Sequence, residues 1–306
     1  MNQHKTQVWL YVILAAIITS CSPVSRREKD NLQKIDEAWE MSDHNLDSSI
    51  ILFQNIQNSV YRSTEYVRMK YDLLGIRLRD KSYMMPTSAD SIKRITEFME
   101  KHGSKKDRMR AYYYMGATYA DLNDSPRAVE STLKALSYRE GEQSCDTAIA
   151  IKCYSHLSDI YRRLYNSQES IHMAMAGLEL AKEAGMATSW YTMDVATSYN
   201  MAGDRKQGME YCRKAYERLL EEKNYAVNTT IAAEMMYLFA KNEEYGKVDT
   251  LAELLEKIPG HEHSYNYNYA KGIVYEARGM MDSAVAYYTK DISIPSPHKR
   301  QASLTR

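Results

Sequence analysis

The stretch YYYMGATYADLNDSPRAVESTLKALSYRE, Tyr112–Glu140, carries two helical segments around the break Asn123-Asp124-Ser125-Pro126. Gly116 stands three positions before Tyr119, while Ala128 and Ala135 stand nine and sixteen positions after it. Two antiparallel helices approach closely only where small residues face each other, and a large ring one turn along the first helix fills the adjoining space. Ser125 is the expected N-cap of the second helix, with Pro126 at its first position.

The same offsets recur around Tyr161, Tyr199, Phe239 and Tyr275. Three positions before these anchors lie Ser158, Ala196, Met236 and Gly272; nine after lie Ser170, Gly208, Val248 and Ala284. Sixteen after lie Gly177, Ala215, Leu255 and Asp291. The pattern resembles the tetratricopeptide repeat (TPR), whose marks are a small residue, an aromatic and two later alanines. The copies at Tyr112–Glu140 and Ala270–Lys290 are the clearest, and the copy holding Val248 is the weakest. Anchors stand 42, 38, 40 and 36 residues apart, against about 34 in the family. The extra residues therefore belong between copies, as in Glu140–Thr147. Asp204 with Gln207 reads as a capping box, and Gly103 and Gly185 stand where helices end.

The expected fold is all-α: an α-solenoid of stacked antiparallel helix pairs, a TPR-like superhelix. Residues 109–293 read as an array of about five repeats. Residues 32–108 read as degenerate helical repeats without the small-residue signature, built from Leu32–Met41, Asp47–Ser59, Thr64–Asp80 and Ser88–His102. Residues 294–306 read as a disordered tail. The composition agrees: 12 Gly and 6 Pro in 306 residues leave few helix breakers, and 26 Tyr against 3 Phe suit half-buried seams between helices.

Residues 1–20 read as a secretory signal. Lys5 precedes the apolar run Val8–Ser20, which is short for the roughly 20 residues of a membrane span and suits a signal-peptide core. It ends in Ile18-Thr19-Ser20-Cys21, which resembles a bacterial lipobox with Cys21 as the lipidated residue. Residues 21–31 then form a tether, and acyl chains such as palmitate hold the domain at a membrane. The expected location is the cell envelope, lipid-anchored and facing the periplasm or the cell surface.

Asn45-Leu46-Asp47-Ser48-Ser49-Ile50, Lys70-Tyr71-Asp72-Leu73-Leu74, Asp80-Lys81-Ser82-Tyr83, Ser88-Ala89-Asp90-Ser91-Ile92 and Arg110-Ala111-Tyr112-Tyr113-Tyr114 are similar to stretches of a group of TPR lipoproteins of Bacteroidetes. In that group the array often continues into a membrane-spanning helix and a cytoplasmic coiled coil. Here the chain ends soon after Pro295-Ser296-Pro297, as a truncated chain or as a natural short form with a frayed end. The resemblance implies an envelope scaffold that binds a protein or peptide, or else the sensory half of a transmembrane regulator. A glycan-uptake lipoprotein ranks behind both, since its aromatic platforms would sit on inserted loops.

Forty basic residues balance forty acidic ones, which excludes a chain-wide basic footprint for nucleic acid. The sequence has no phosphate-binding glycine loop, nucleophile elbow or HExxH motif, so no catalytic residue is assigned and no enzyme, cofactor or metal is expected. His261-Glu262-His263 lacks a third ligand and reads as a polar loop. Cys153 and Cys212 read as small core residues, and Cys145 as a loop residue.

The first helix of each pair in a stacked array lines its concave face. Counting from the anchors nominates Tyr113, Ser155, Asp159, Arg162, Trp190, Met193, Asn200, Tyr237 and Tyr269 as the groove for a protein or peptide. Trp190 leads, because aromatics and arginine dominate binding energy at interfaces.

Overall fold

The computed structural model describes residues 26–139, 146–223, 229–260 and 264–292. The signal stretch, Cys21, Cys145, His261-Glu262-His263 and the tail 294–306 lie outside the described residues. Among those described, the chain is helical throughout, with no strand. The helices are α1 (Arg26–Met41), α2 (Leu46–Val60), α3 (Glu65–Lys81), α4 (Asp90–His102), α5 (Lys105–Asp121), α6 (Ser125–Ser137) and α7 (Thr147–Arg163). They continue as α8 (Ser167–Glu183), α9 (Ser189–Met201), α10 (Arg205–Glu222), α11 (Thr229–Lys241), α12 (Tyr245–Leu255), α13 (Tyr265–Ala277) and α14 (Met281–Ile292). Helix α1 starts at Arg26, inside the stretch read as a tether. The chain divides into two compact units, Met1–Tyr83 with Glu97–Gly103 and Met84–Thr96 with Ser104–Arg306.

In the first unit, Ile35, Ala38 and Trp39 of α1, Ile56 and Val60 of α2, and Val67, Leu74 and Leu78 of α3 are buried. The Ser49 hydroxyl donates 2.6 Å to the Ala38 carbonyl, so two small residues mark where α1 meets α2. They are eleven residues apart, one fewer than the twelve separating Gly116 from Ala128. A search at fixed offsets therefore passes over this crossing. Phe53 stacks on Tyr71 at 4.1 Å, and a Cβ at Gly75 would come within 3.1 Å of the Phe53 ring. Arg77 is buried, with Nε on Ser42 at 2.7 Å, Nη2 on Asp43 at 2.6 Å and its guanidinium against the Trp39 ring.

Among the described residues the second unit contains five helix pairs, α5–α6 to α13–α14, the two helices of each pair joined by one recurring turn. The anchor carbonyls of Tyr119, Tyr161, Tyr199, Phe239 and Tyr275 accept from the amides of Asp124, Asn166, Asp204, Glu244 and Met280, at 2.8–3.0 Å. The residue just before each donor is left-handed: Asn123, Tyr165, Gly203, Glu243 and Gly279, with φ of 60, 57, 85, 59 and 73°. This is the six-to-one bond of a Schellman turn. The donor residue then opens the second helix, and the side chains of Asp124, Asn166 and Asp204 accept the amides of Arg127, Glu169 and Gln207. The N-cap of α6 is thus Asp124, one residue before the expected Ser125, because its carboxylate reaches the Arg127 amide at the positive end of the helix. A turn of constant length is what keeps the small residue nine positions after each anchor.

The close approaches fall where small residues stand. A Cβ at Gly116 would lie 2.3 Å from Thr132 Oγ1 and 3.1 Å from the Ala128 carbonyl. Ser158 and Ser170 play this part for α7–α8, buried and 3.4 Å apart. In the fourth pair larger residues, Met236 and Val248, are buried at the crossing beside Phe239. Cys153 and Cys212 are free and buried, as expected of small core residues.

Candidate partner-binding face

The polar side chains of the second unit link successive first helices. On α7, Arg162 Nη1 donates 2.8 Å to Asp194 Oδ1 on α9, and Nη2 donates 2.9 Å to Asp159 Oδ1. Arg163 holds the other Asp159 oxygen at 3.0 Å. On α9, Thr197 Oγ1 donates 2.8 Å to Glu234 Oε1 on α11. Beneath them, Ser158, Ser170 and Ser198 form a buried hydroxyl cluster, with the 2.9 Å Ser170–Ser198 contact its shortest. Asp194 and Glu234 each stand five residues before their anchor, and Asp159, Thr197 and Tyr237 stand two before theirs. These positions are three residues apart and share one helix face.

Rings flank this stripe on both sides. Towards α5, Tyr113 lies edge-on to His156, 6.0 Å between centroids. His156 Nδ1 lies 3.2 Å from Thr132 Oγ1, and burial lowers its pKa to about 4, so it stays neutral. Towards α13, Tyr237 meets Tyr269 at 5.8 Å, Tyr265 stacks on Tyr269 at 5.7 Å, and Tyr288 meets Tyr269 at 5.4 Å. Lys241 lies over the Tyr269 ring at 5.2 Å.

Trp190 is 42% exposed and stands one turn before Asp194 on α9. Glu222, ending α10, caps this helix start: its Oε1 accepts the Thr188 amide at 2.6 Å and the Ser189 amide at 3.0 Å.

Of the residues nominated from the sequence, Tyr113, Asp159, Arg162, Tyr237 and Tyr269 take part in these contacts, Ser155 is half-buried on α7, and Trp190 offers an exposed ring. Met193 does not belong to the face. It is 1% exposed and packs in the core with Ala196, Met209 and Cys212. One residue is a rotation of about 100° on a helix, so Asp194 turns to the polar stripe with Arg162 and Met193 to the core. Asn200 also turns away: its amide donates 3.0 Å back to the Ala196 carbonyl. It lies over Gly208, where a Cβ would come within 2.5 Å of it. Asp194, Thr197, Glu234 and His156 were missed. The signal for His156, Asp194 and Glu234 was a polar residue five positions before three successive anchors; Thr197, two before its anchor, shared no such signal.

Among the described residues no group of three or more His, Cys, Asp or Glu has the geometry to hold a metal ion, and no helix is long and apolar enough to cross a membrane.

No protein-family model and no curated protein matches the sequence. Solved structures do match it. A signal transduction ATPase with numerous domains and a tetratricopeptide repeat sensor, from Pyrococcus horikoshii, superposes with TM-score 0.65 and 18% identity over 91% of this chain and 44% of that one. RapI in its apo form gives 0.62 and 12% over 90% and 99%. The quorum sensor NprR of B. thuringiensis, also apo, gives 0.62 and 16% over 90% and 80%. NprR in complex with its cognate peptide NprX gives 0.59 and 16% over 90% and 81%. The likeness is one of fold: the chain is a TPR-like α-solenoid.

Proposed function

We propose that the chain is a lipid-anchored scaffold of the bacterial cell envelope that holds a peptide or protein partner against the first helices of its second unit. The observation that carries this reading is the continuous row of side chains linking α5, α7, α9, α11 and α13, with exposed Trp190 and Tyr265 beside it. Such a row offers flat rings for packing and charged groups for orientation, the two ingredients of an interface hot spot. NprR shows that a chain of this fold can hold a peptide. The anchor rests on Ile18-Thr19-Ser20-Cys21 and the apolar run before it.

Two measurements on the full chain in its own envelope test this. Cys21→Ser should move the protein from the membrane fraction to the soluble one. A photo-crosslinking residue at Trp190 should capture one discrete species, while the same residue at Leu133, 43% exposed on the second helix α6, should not. Equal capture at both sites, or none at Trp190, would sink the proposed face.

A further inference from the structure

The charges on this face do not balance. Asp159, Asp194 and Glu234 are three carboxylates, and the guanidinium groups paired with them are two, Arg162 and Arg163. Asp159 holds both arginines, and Asp194 shares Arg162 through Oδ1 alone. Asp194 Oδ2 is buried without a hydrogen-bond partner, on a side chain only 10% exposed. Glu234 holds the Thr197 hydroxyl and makes no ion pair of its own among the described residues, Arg162 acting on it only from a distance. The nearest further cation on α11, Lys241, lies two turns on and over the rings of Tyr237 and Tyr269. A buried carboxylate oxygen with no donor to accept from bears its desolvation penalty uncompensated, a cost that a partner can remove.

We infer that Asp194 and Glu234 form the receptor for one positively charged group of the peptide partner, an arginine or lysine side chain or a free α-amino terminus, with Trp190 as the flanking ring. Electroneutrality calls for a single positive charge. The geometry suits a group with several donors, because two carboxylates on successive first helices can each accept from it. Burial pushes both carboxyls above their ordinary range, against the pull of Arg162 on each and of the hydroxyl bonds from Ser158 and Thr197. A bound cation would bring them back down. Trp190, four residues before Asp194, supplies a ring face for the stem or charge of the same group. This inference rests on the proposed peptide-binding face and adds the chemistry of what that face selects.

The test uses a positional library of N-acetylated hexapeptides, read by fluorescence polarisation on the full chain at neutral pH. The strongest binders should share arginine or lysine at one position, and citrulline or norleucine there should weaken binding about tenfold or more. Glu234→Gln keeps an acceptor for Thr197 and removes the charge, so it should abolish the preference while leaving the melting temperature unchanged or higher. A parallel library with free amino termini separates the two sources: a binder that needs the free amine supports the same receptor, with the terminus as its cation. Peptides that bind with no basic preference, or equally to the Glu234→Gln chain, would overturn the inference and leave the binding face standing. No binding by any peptide would overturn both. A lower melting temperature in Glu234→Gln with the preference intact would show that the carboxylate is structural.

Discussion

The Tyr161 carbonyl on α7 accepts a 2.9 Å hydrogen bond from the Asn166 amide that opens α8, and Tyr165 between them is left-handed with φ of 57°. The same bond spans the same five residues in every pair of the second unit. It converts the end of one helix into the start of the next without slack, which is why five copies of low mutual similarity share one set of offsets.

Tyr165→Gly should therefore stabilise the chain. The Tyr165 side chain is 85% exposed and gives up little packing, while a non-glycine residue in the left-handed region costs about 1–2 kcal/mol. Allowing for the extra freedom of glycine in the unfolded chain, a gain of roughly 0.5–1 kcal/mol is expected. Gly203→Ala, at φ 85°, should lose a similar amount. Denaturant midpoints of the two variants check both signs.

Arg162→Met should be strongly destabilising, because it strands Asp194 in a site with 10% side-chain exposure. Breaking one side of a buried pair costs about 3–5 kcal/mol, and the 18% exposure of Arg162 brings the expectation to roughly 2–3 kcal/mol. Adding Asp194→Asn should recover most of it. A double-mutant cycle in urea measures the coupling, and equal losses in the single and double variants would refute it.

Stability should respond to acid in two opposed ways. His156 takes its proton near pH 6.5 when unfolded and, lowered by burial, at about 4 when folded. Its contribution is whole above 6.5 and is lost as the pH falls towards 4. Asp194 and Glu234 are raised by burial above 3.8 and 4.5, so the folded chain takes up their protons first. They cost stability at neutral pH and return it on acidification. Melting temperatures across this range should fall less steeply for His156→Gln than for the parent chain, and more steeply for Glu234→Gln. Parallel curves for all three would contradict both assignments.

Cys153 and Cys212 should resist thiol reagents in the folded chain. Both are fully buried, and burial, with Asp146 and Glu234 respectively as the leading nearby charges, pushes their pKa well up, so little reactive thiolate forms. In a Cys145→Ser background, labelling of these two positions should track global unfolding in urea. Rapid labelling in native buffer would show that α7 or α10 opens locally.

Much of the fold was legible because its determinants are local. Gly116, Ala128 and Ala135 mark where helices meet face to face, and Asp204 caps α10 through a bond spanning three residues, to the Gln207 amide. What escaped was the α1–α2 crossing of Ala38 and Ser49, since its turn is of another kind, the N-cap Asn45 amide bonding the Met41 carbonyl four residues back rather than five, and the offset between the small residues shifts by one. The left-handed residues were half legible: Asn123, Gly203 and Gly279 are types that favour the conformation, but Tyr165 and Glu243 are held there by the turn around them.

The sequence by itself determined that the chain forms helix pairs of a TPR-like kind and where each pair closes, because these depend on residues within one turn or one loop of each other. Only the tertiary structure decided that Asp194 and Glu234 join one polar stripe with Arg162, Thr197 and Tyr237, that Met193 goes into the core, and that Asn200 folds over Gly208. The reason lies in α9, where Met193 and Val195 are both buried on either side of Asp194. A helix with apolar residues around most of its circumference does not itself say which side meets solvent. That is set by rotation about its axis, fixed when α7 and α11 pack beside it.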